Sequence, residues 1–203
     1  KVSSLEEFLR IAKEDFHEAY RIFTERHFSL ILKDQSEKIR SLYAGMSQQP
    51  VTYQHLEEFL IAAGVKEKVE LSLNREEANF YDVSESVQES LYIHRSGWGH
   101  LRADIEVNGE FLEAEKHVIT EDDFIGRTCE INYVIHREKI GKGNQYGEIV
   151  IKTPYQKLVY HVLASRGTGS SVNIDLLEKQ YRAALLKDRK SVVWGKSVDL
   201  GGR

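Results

Sequence analysis

A glycine-rich stretch between residues 141 and 147 has the composition of a phosphate-binding loop. Gly141, Gly143 and Gly147 form a G-x-G-x-x-x-G pattern. The dinucleotide-binding fingerprint is one residue shorter, and a helix must follow its last glycine. Here the apolar run 149–151 predicts a strand instead. We therefore expect a turn that uses the freedom of glycine at positive φ, and no nucleotide site.

An acidic run and a lone thiol are the next candidates for chemistry. Thr120–Asp123 contains three consecutive carboxylates, whereas a calcium loop spaces its six to eight oxygen ligands along the chain. Thr120 and Asp123 instead predict the cap of a single helical turn. Cys129 is the only cysteine and begins an alternating run, with no base beside it. We expect it to be a small buried hydrophobe and not a nucleophile.

The eight histidines are scattered along the chain, and no two have the four-residue spacing of a helical zinc site. Zinc bound by thiolates is excluded by the single cysteine. No nucleophile, base and charge stabiliser have workable spacing. We therefore expect no catalytic residue, no metal site and no cofactor, and we expect that the chain is not an enzyme.

Three aromatic residues, Trp98, Tyr146 and Tyr155, fall in or beside predicted loops. Exposed aromatic rings in such loops can stack on a sugar or grip a peptide. Packing within the core or the loops is an equally good interpretation. These three residues are the candidate contacts for a ligand or partner.

The bulk composition describes an ordinary globular chain, with 41% hydrophobic and 30% charged residues. A formal charge of −4 gives no reason to expect nucleic acid as a partner. No apolar run approaches the length of a membrane span. A single cysteine fits a reducing compartment, so we expect a cytoplasmic protein. The chain starts at Lys1 without a signal pattern, and we expect it to be a fragment of a longer protein.

The elements that would position these residues change character at residue 65. Residues 1–64 show helical spacing and predict a helical segment. Ser4 with Glu7 forms a capping-box pattern, and one apolar stripe then runs as far as Phe23. Further helices are predicted near residues 27–32 and 36–46. Thr52 is the predicted cap of the last helix, which Gly64 ends.

Residues 65–165 alternate between apolar and polar side chains, which predicts short antiparallel strands with one packed face. The spacing of the turns favours an immunoglobulin-like β-sandwich, and the whole chain is predicted to be an α+β multidomain protein. Residues 166–187 are predicted to be a linker and the start of a further helix. The residues predicted to be buried are Val69, Leu71, Ile93, Leu101, Ile105, Ile131, Tyr133, Ile149 and Ile151.

The final segment, residues 188–203, fits neither period. It resembles a translated sequencing adapter along its whole length. We interpret it as a non-native tail that contributes nothing to the fold, and we exclude Trp194 as a binding residue.

Four strings carry a resemblance to a known family: residues 57–61, 89–93 with Trp98-Gly99, 123–126 and 143–153. They resemble an uncharacterised bacterial family of large multidomain proteins that combine immunoglobulin-like β-sandwich domains with helical regions. The resemblance covers about residues 3 to 187. It implies that the chain is an internal piece of such a protein. It implies no active site.

The first functional hypothesis is a non-catalytic structural or protein–protein interaction module. Its partners would be other segments of the same large protein or separate proteins, and its most adhesive surface would lie around Phe8, Phe16, Phe23 and Leu177. The alternative is a carbohydrate- or peptide-binding sandwich that uses the loop aromatics. A coplanar aromatic platform would favour the alternative.

Overall fold

The computed structural model describes residues 2–167 and 179–184. Helices come first along the chain, and two β-sheets follow, so the protein is α+β. The helices are α1 (Leu5–Glu14), α2 (Phe16–Phe23), α3 (Phe28–Ile31), α4 (Glu37–Met46) and α5 (Tyr53–Ala62). Residues 179–184 are also helical. Within the described part of the chain, no helix combines the length and apolar character that crossing a bilayer requires.

The predicted long first helix is wrong, because it is broken at Asp15. Asp15 has extended backbone angles, φ −145° and ψ 95°, and it ends α1 and starts α2. Its carboxylate accepts a hydrogen bond from the Glu18 N–H. Aspartate competes for backbone donors in this way and favours helix ends over helix interiors. The apolar stripe continues across the break, so periodicity alone did not show it.

Side chains cap four of the helices at their first turns, including α2, which Asp15 caps as described above. Thr52 and His55 form a reciprocal capping box on α5, and Gly64 follows that helix at φ +74°, which confirms both predicted ends. Ser36 caps α4. Ser4 caps α1 as predicted, but the Glu7 carboxylate accepts from the Ser3 N–H and not from the Ser4 N–H. The capping box predicted for α1 is therefore only half formed.

The helices share one aromatic core. Phe8 and Phe23 are fully buried, and the rings of Phe28 and Phe59 pack against Phe23. The prediction of an adhesive stripe is therefore wrong for Phe8 and Phe23, because the other helices cover them. Phe16 is half-buried, and Leu177 lies outside the described residues.

In the described part of the chain, nine strands form the two sheets. They are β1 (Leu71–Leu73), β2 (Glu77–Phe80), β3 (Val87–Arg95), β4 (Arg102–Asn108), β5 (Leu112–Ala114), β6 (Val118–Thr120), β7 (Thr128–Ile135), β8 (Asn144–Lys152) and β9 (Lys157–Ser165). The four-stranded sheet has the order β1-β3-β7-β5, and the five-stranded sheet has the order β2-β9-β8-β4-β6. Every edge strand is three or four residues long.

One strand pair departs from the predicted antiparallel arrangement. β2 pairs with β9 in parallel, with Glu77 opposite His161 and Phe80 opposite Ala164. Alternating polarity reports which face of a strand is buried and carries no information about the direction of its neighbour. The five-stranded sheet is therefore mixed, whereas the four-stranded sheet is antiparallel as predicted.

The inner faces of the sheets form a single apolar core, and all nine residues predicted to be buried are in it. Inside it, the hydroxyl groups of Tyr133 and Tyr160 lie 2.8 Å apart and satisfy each other. Burial, together with this hydrogen bond, raises the pKa of Tyr133.

Several local predictions are confirmed. Residues 121–123 form one 3₁₀ turn with Thr120 and Asp123 as its capping pair. Gly143 has φ +75°, and strand β8, not a helix, follows the glycines. Cys129 is fully buried, and burial raises the pKa of its thiol. The predicted linker and tail, residues 168–178 and 185–203, lie outside the described residues.

Candidate functional site

Buried charges are concentrated where the helices contact the sheets. We call this region the seam. It comprises α5, the residues that follow α5, the loop between β3 and β4, and the 3₁₀ turn after β6. Its members are Glu57, Lys66, Arg95, Trp98, Gly99, His100 and Glu121.

Glu57 lies at the centre of the seam. It projects from the same side of α5 as the buried Leu56 and Leu60, and its side chain is 1% exposed. One carboxylate oxygen contacts the Lys66 ammonium, and the other accepts the backbone N–H of His100 at 3.1 Å. A buried carboxylate is tolerated when its lone pairs are used in this way. Glu57 thus joins a helix to a loop 43 residues further along the chain.

Arg95, at the end of β3, fixes the loop that follows. Its Nε donates to the Gly97 carbonyl at 2.6 Å and its Nη2 to the Gly99 carbonyl at 3.0 Å. Its guanidinium lies 5.4 Å from the centre of the Phe124 ring. The loop therefore approaches α5 in one conformation.

Gly99 permits that close approach. Its φ is +106°, a conformation that residues with a Cβ rarely adopt. A Cβ at this position would lie 2.6 Å from a Glu57 carboxylate oxygen and 2.7 Å from the Lys66 nitrogen. The ion pair occupies the space that any other side chain would need.

A second carboxylate, Glu121, supports the loop from the other side. It accepts the Leu101 N–H at 3.0 Å, and His100 Nδ1 lies 3.3 Å from its other oxygen. Burial raises the pKa of Glu121, but the hydrogen bonds from His100 and Leu101 outweigh burial, and the pKa is lowered. Glu121 is therefore held as a carboxylate.

The Lys66 side chain is 2% exposed. Burial, and secondly the Arg95 guanidinium, lower its pKa to about 8. The contacting Glu57 carboxylate acts in the opposite direction, because it favours the ammonium form. The charge of Lys66 thus depends on Glu57.

A column of stacked rings borders the seam. The ring centres of Tyr20 and Tyr53 lie 4.0 Å apart, and those of Tyr53 and His100 lie 5.6 Å apart. Phe16 stacks on His100 at 6.2 Å. The column spans two helices and the β3–β4 loop, so it adds apolar contact to the polar contacts of Glu57.

The three predicted contact aromatics occupy different environments. Trp98 packs against the helical core, with the Lys66 nitrogen 5.2 Å from its ring centre. The Tyr155 hydroxyl accepts from Gln54 of α5 at 2.9 Å. Tyr146 is 66% exposed on β8. The structure thus places Trp98 and Tyr155 in contacts between helices and sheets and leaves Tyr146 open, so no shared platform forms from the three.

The charged members of the seam were not predicted from the sequence. One usable signal was present, because Glu57 interrupts an otherwise apolar face of α5. Its partners are distant in sequence and show no spacing rule. Among the described residues, no three His, Cys, Asp or Glu side chains lie close enough together to hold a metal ion.

Comparison with solved structures finds likenesses to parts of the chain. One is WR4, a C. elegans MSP family member, at 8% identity and a TM-score of 0.34, which covers 48% of this chain and 97% of that one. Another is a FixG-related protein from Vibrio parahaemolyticus, at 8% identity and a TM-score of 0.32, with coverages of 49% and 94%. The VesB protease of Vibrio cholerae matches at 8% identity and a TM-score of 0.31, with coverages of 47% and 31%.

No curated protein matches the chain. A family model does, and it spans residues 1–191, so that it includes the helices, both sheets and the whole seam. Its range also includes residues 188–191, the first four of the segment that resembles an adapter. The chain therefore belongs to the N-terminal family of DUF5717, a family of unknown function.

Proposed function

We propose that the chain is a non-catalytic structural or protein–protein interaction module of a larger bacterial protein, in which helices and sheets act as one rigid body. We also propose that the two sheets are an immunoglobulin-like sandwich and that further domains accompany this one. The shared core of the two sheets supports the sandwich assignment.

The observation that carries the proposal is the use of the buried charges. Glu57, Lys66, Arg95 and Glu121 each contact another seam residue or a backbone group of the seam. Such groups are expensive to bury. Arg95 and Glu121 hold the β3–β4 loop in place, and Glu57 joins that loop to α5. The Lys66 amine is enclosed and has no route to a substrate. A fixed relative orientation is what a scaffold needs and what these contacts supply.

Partner contact would use exposed side chains on rigid elements. Ile125 is 91% exposed at a turn that is held by two backbone hydrogen bonds between Ile125 and Thr128. Leu30 of α3 is a second exposed apolar side chain, and 66% of it is accessible to solvent. Both belong to the same rigid body, so a partner would meet them at a constant separation. Preorganised contacts lose less entropy on binding than mobile ones.

The alternative function is recognition of a glycan or peptide by the sandwich, and the exposure of Tyr146 is the observation in its favour. Trp98 and Tyr155 support it less, because contacts with Lys66 and Gln54 already occupy them.

Association in solution tests the proposal. The chain and the remainder of its full-length protein would be expressed as separate polypeptides and mixed in sedimentation-velocity experiments. We expect the two polypeptides to form a complex that Ile125→Asp weakens. Ile61 is not a suitable position for the same change, because its side chain is half-buried. Glu85→Lys, an exposed sandwich change, is the control. If no complex forms, and a Trp98→Ala or Tyr146→Ala change abolishes binding to a glycan array, the recognition function replaces this one.

A further inference from the structure

A groove of about 340 Å³ lies on the outer face of the five-stranded sheet, away from the seam. Strands β2, β8 and β9 form its floor, and Tyr181 of the helical residues 179–184 borders it. Its size is at the lower end of the range for ligand sites, and it can take one side chain or a small molecule.

Two tyrosines and two carboxylates line this groove. Tyr146 is 66% exposed, and the Tyr181 hydroxyl donates to a Glu77 carboxylate oxygen at 3.4 Å. Glu148 accepts a hydrogen bond from the side-chain amide of Asn108 at 3.5 Å. The other carboxylate oxygen of Glu148 lies 3.8 Å from His161 Nδ1. Tyrosine and amide donors are neutral, and His161 can offset at most one negative charge, so Glu77 and Glu148 give the lining a net negative charge.

The sign of the charge identifies the occupant. No Lys or Arg is among the groove-lining residues in the described part of the chain. Aromatic faces attract cations through the quadrupole of the ring, and carboxylates attract them by charge. A neutral sugar would satisfy the hydrogen bonds but would leave the net negative charge of the lining in place. A cation satisfies the rings and the carboxylates together.

We infer that this groove binds a cationic side chain, lysine or arginine, on a segment of a protein partner. The inference rests on the proposed function and gives it a partner chemistry. It gives a role to Tyr146, whose side chain is otherwise largely exposed to solvent. It also makes the outer face of the five-stranded sheet a contact surface.

Binding of a defined peptide to the full chain tests the inference. The probe is a blocked Gly-Gly-Arg-Gly-Gly peptide, and the same peptide with citrulline in place of arginine is the matched neutral control. Chemical-shift changes in two-dimensional NMR spectra detect weak binding of this kind. We expect saturable shifts at backbone amides of β8 and β9 with the arginine peptide, weakened by salt, and none with the citrulline peptide.

Substitutions assign the binding to the groove. We expect Tyr146→Ala to weaken binding about fivefold, the equivalent of a cation–π contact of ~1 kcal/mol. Glu148→Gln should weaken it by a similar factor. Tyr92→Ala, on the outer face of the other sheet, is the control and should leave the affinity unchanged.

Three results would overturn the inference: equal binding of the citrulline peptide, no binding of the arginine peptide, or saccharide binding that Tyr146→Ala abolishes. The two proposals fail separately. If the chain associates with the rest of its protein and neither Tyr146→Ala nor Glu148→Gln weakens that complex, the groove assignment is wrong and the module function stands. If no complex forms, the module function itself is wrong.

Discussion

Removing the charge of Glu57 should loosen the attachment of the helices to the sheets. Glu57→Gln keeps the shape of the side chain and an acceptor for the His100 N–H, but it leaves Lys66 beside Arg95 without an anion. Breaking a buried ion pair at one partner costs ~3–5 kcal/mol. We expect the lower value, ~3 kcal/mol, because the amide retains one hydrogen bond. For a chain of this size that loss lowers the melting temperature by about 6–12 °C.

The same variant should depend on pH more strongly than the parent. In the parent, burial and Arg95 hold the pKa of Lys66 at about 8. Glu57→Gln removes the carboxylate that favours the ammonium form, so the pKa of Lys66 should fall further. An unfolded lysine has a pKa of ~10.4, so between the folded pKa and this value the unfolded chain binds a proton that the folded chain does not, and stability rises with pH. Relative to the parent, Glu57→Gln should therefore recover part of its lost stability as the pH rises towards about 8.

Urea unfolding of a double-mutant cycle measures the effect. Lys66→Met alone should cost ~3–5 kcal/mol, because it leaves Glu57 buried and unpaired. The double variant Glu57→Gln/Lys66→Met should cost less than the sum of the single changes by at least ~2 kcal/mol. Glu58→Gln, on the exposed side of α5, is the control and should stay within ~0.5 kcal/mol of the parent. Additive losses, or equal stability of the Glu57 and Glu58 variants, would refute the reasoning.

Three further changes test other parts of the fold. Gly99→Ala should cost more than ~2 kcal/mol by strain and by a clash with the ion pair, whereas Gly97→Ala, with no atom within 4 Å of the added Cβ, should cost less than ~1 kcal/mol in thermal unfolding. Tyr133→Phe should cost ~1–3 kcal/mol, because the Tyr160 hydroxyl loses its hydrogen bond to Tyr133. The double variant Tyr133→Phe/Tyr160→Phe should recover part of that loss, and full additivity of the two single losses would contradict this account. Deleting residues 188–203 should change the free energy of unfolding by less than ~1 kcal/mol, and a larger loss would mean that this segment is a real part of the protein.

The strand core could be predicted from the sequence because sheet burial follows a period of two. Ile93 and Ile131 alternate with polar neighbours, and each is fully buried. Both ends of α5 could also be predicted, because Thr52 caps its first turn and Gly64 terminates it, each through its own local geometry. At α5 local rules were sufficient, because Thr52 forms its hydrogen bonds within its own first turn.

Other features could not be predicted from local rules. Asp15 fits either a helix or a break, and the choice depends on how α1 and α2 pack. The partner of β2 is β9, and nothing within residues 77–80 indicates a parallel neighbour. Glu57 resembles any exposed glutamate until the β3–β4 loop covers it. The seam depends on contacts between segments that sequence periodicity does not relate.

The pairing of β2 with β9 has a consequence for synthesis. Glu77–Phe80 emerges from the ribosome early, but the strand that holds it, residues 161–164, is translated 84 residues later. The helices complete their own contacts within the first 64 residues, and the Glu57–Lys66 contact forms only nine residues apart. We therefore expect an early helical intermediate on the ribosome, with β2 exposed as an unpaired strand until β9 is made. A translational pause before residue 157 would prolong that exposure and would increase aggregation of the nascent chain.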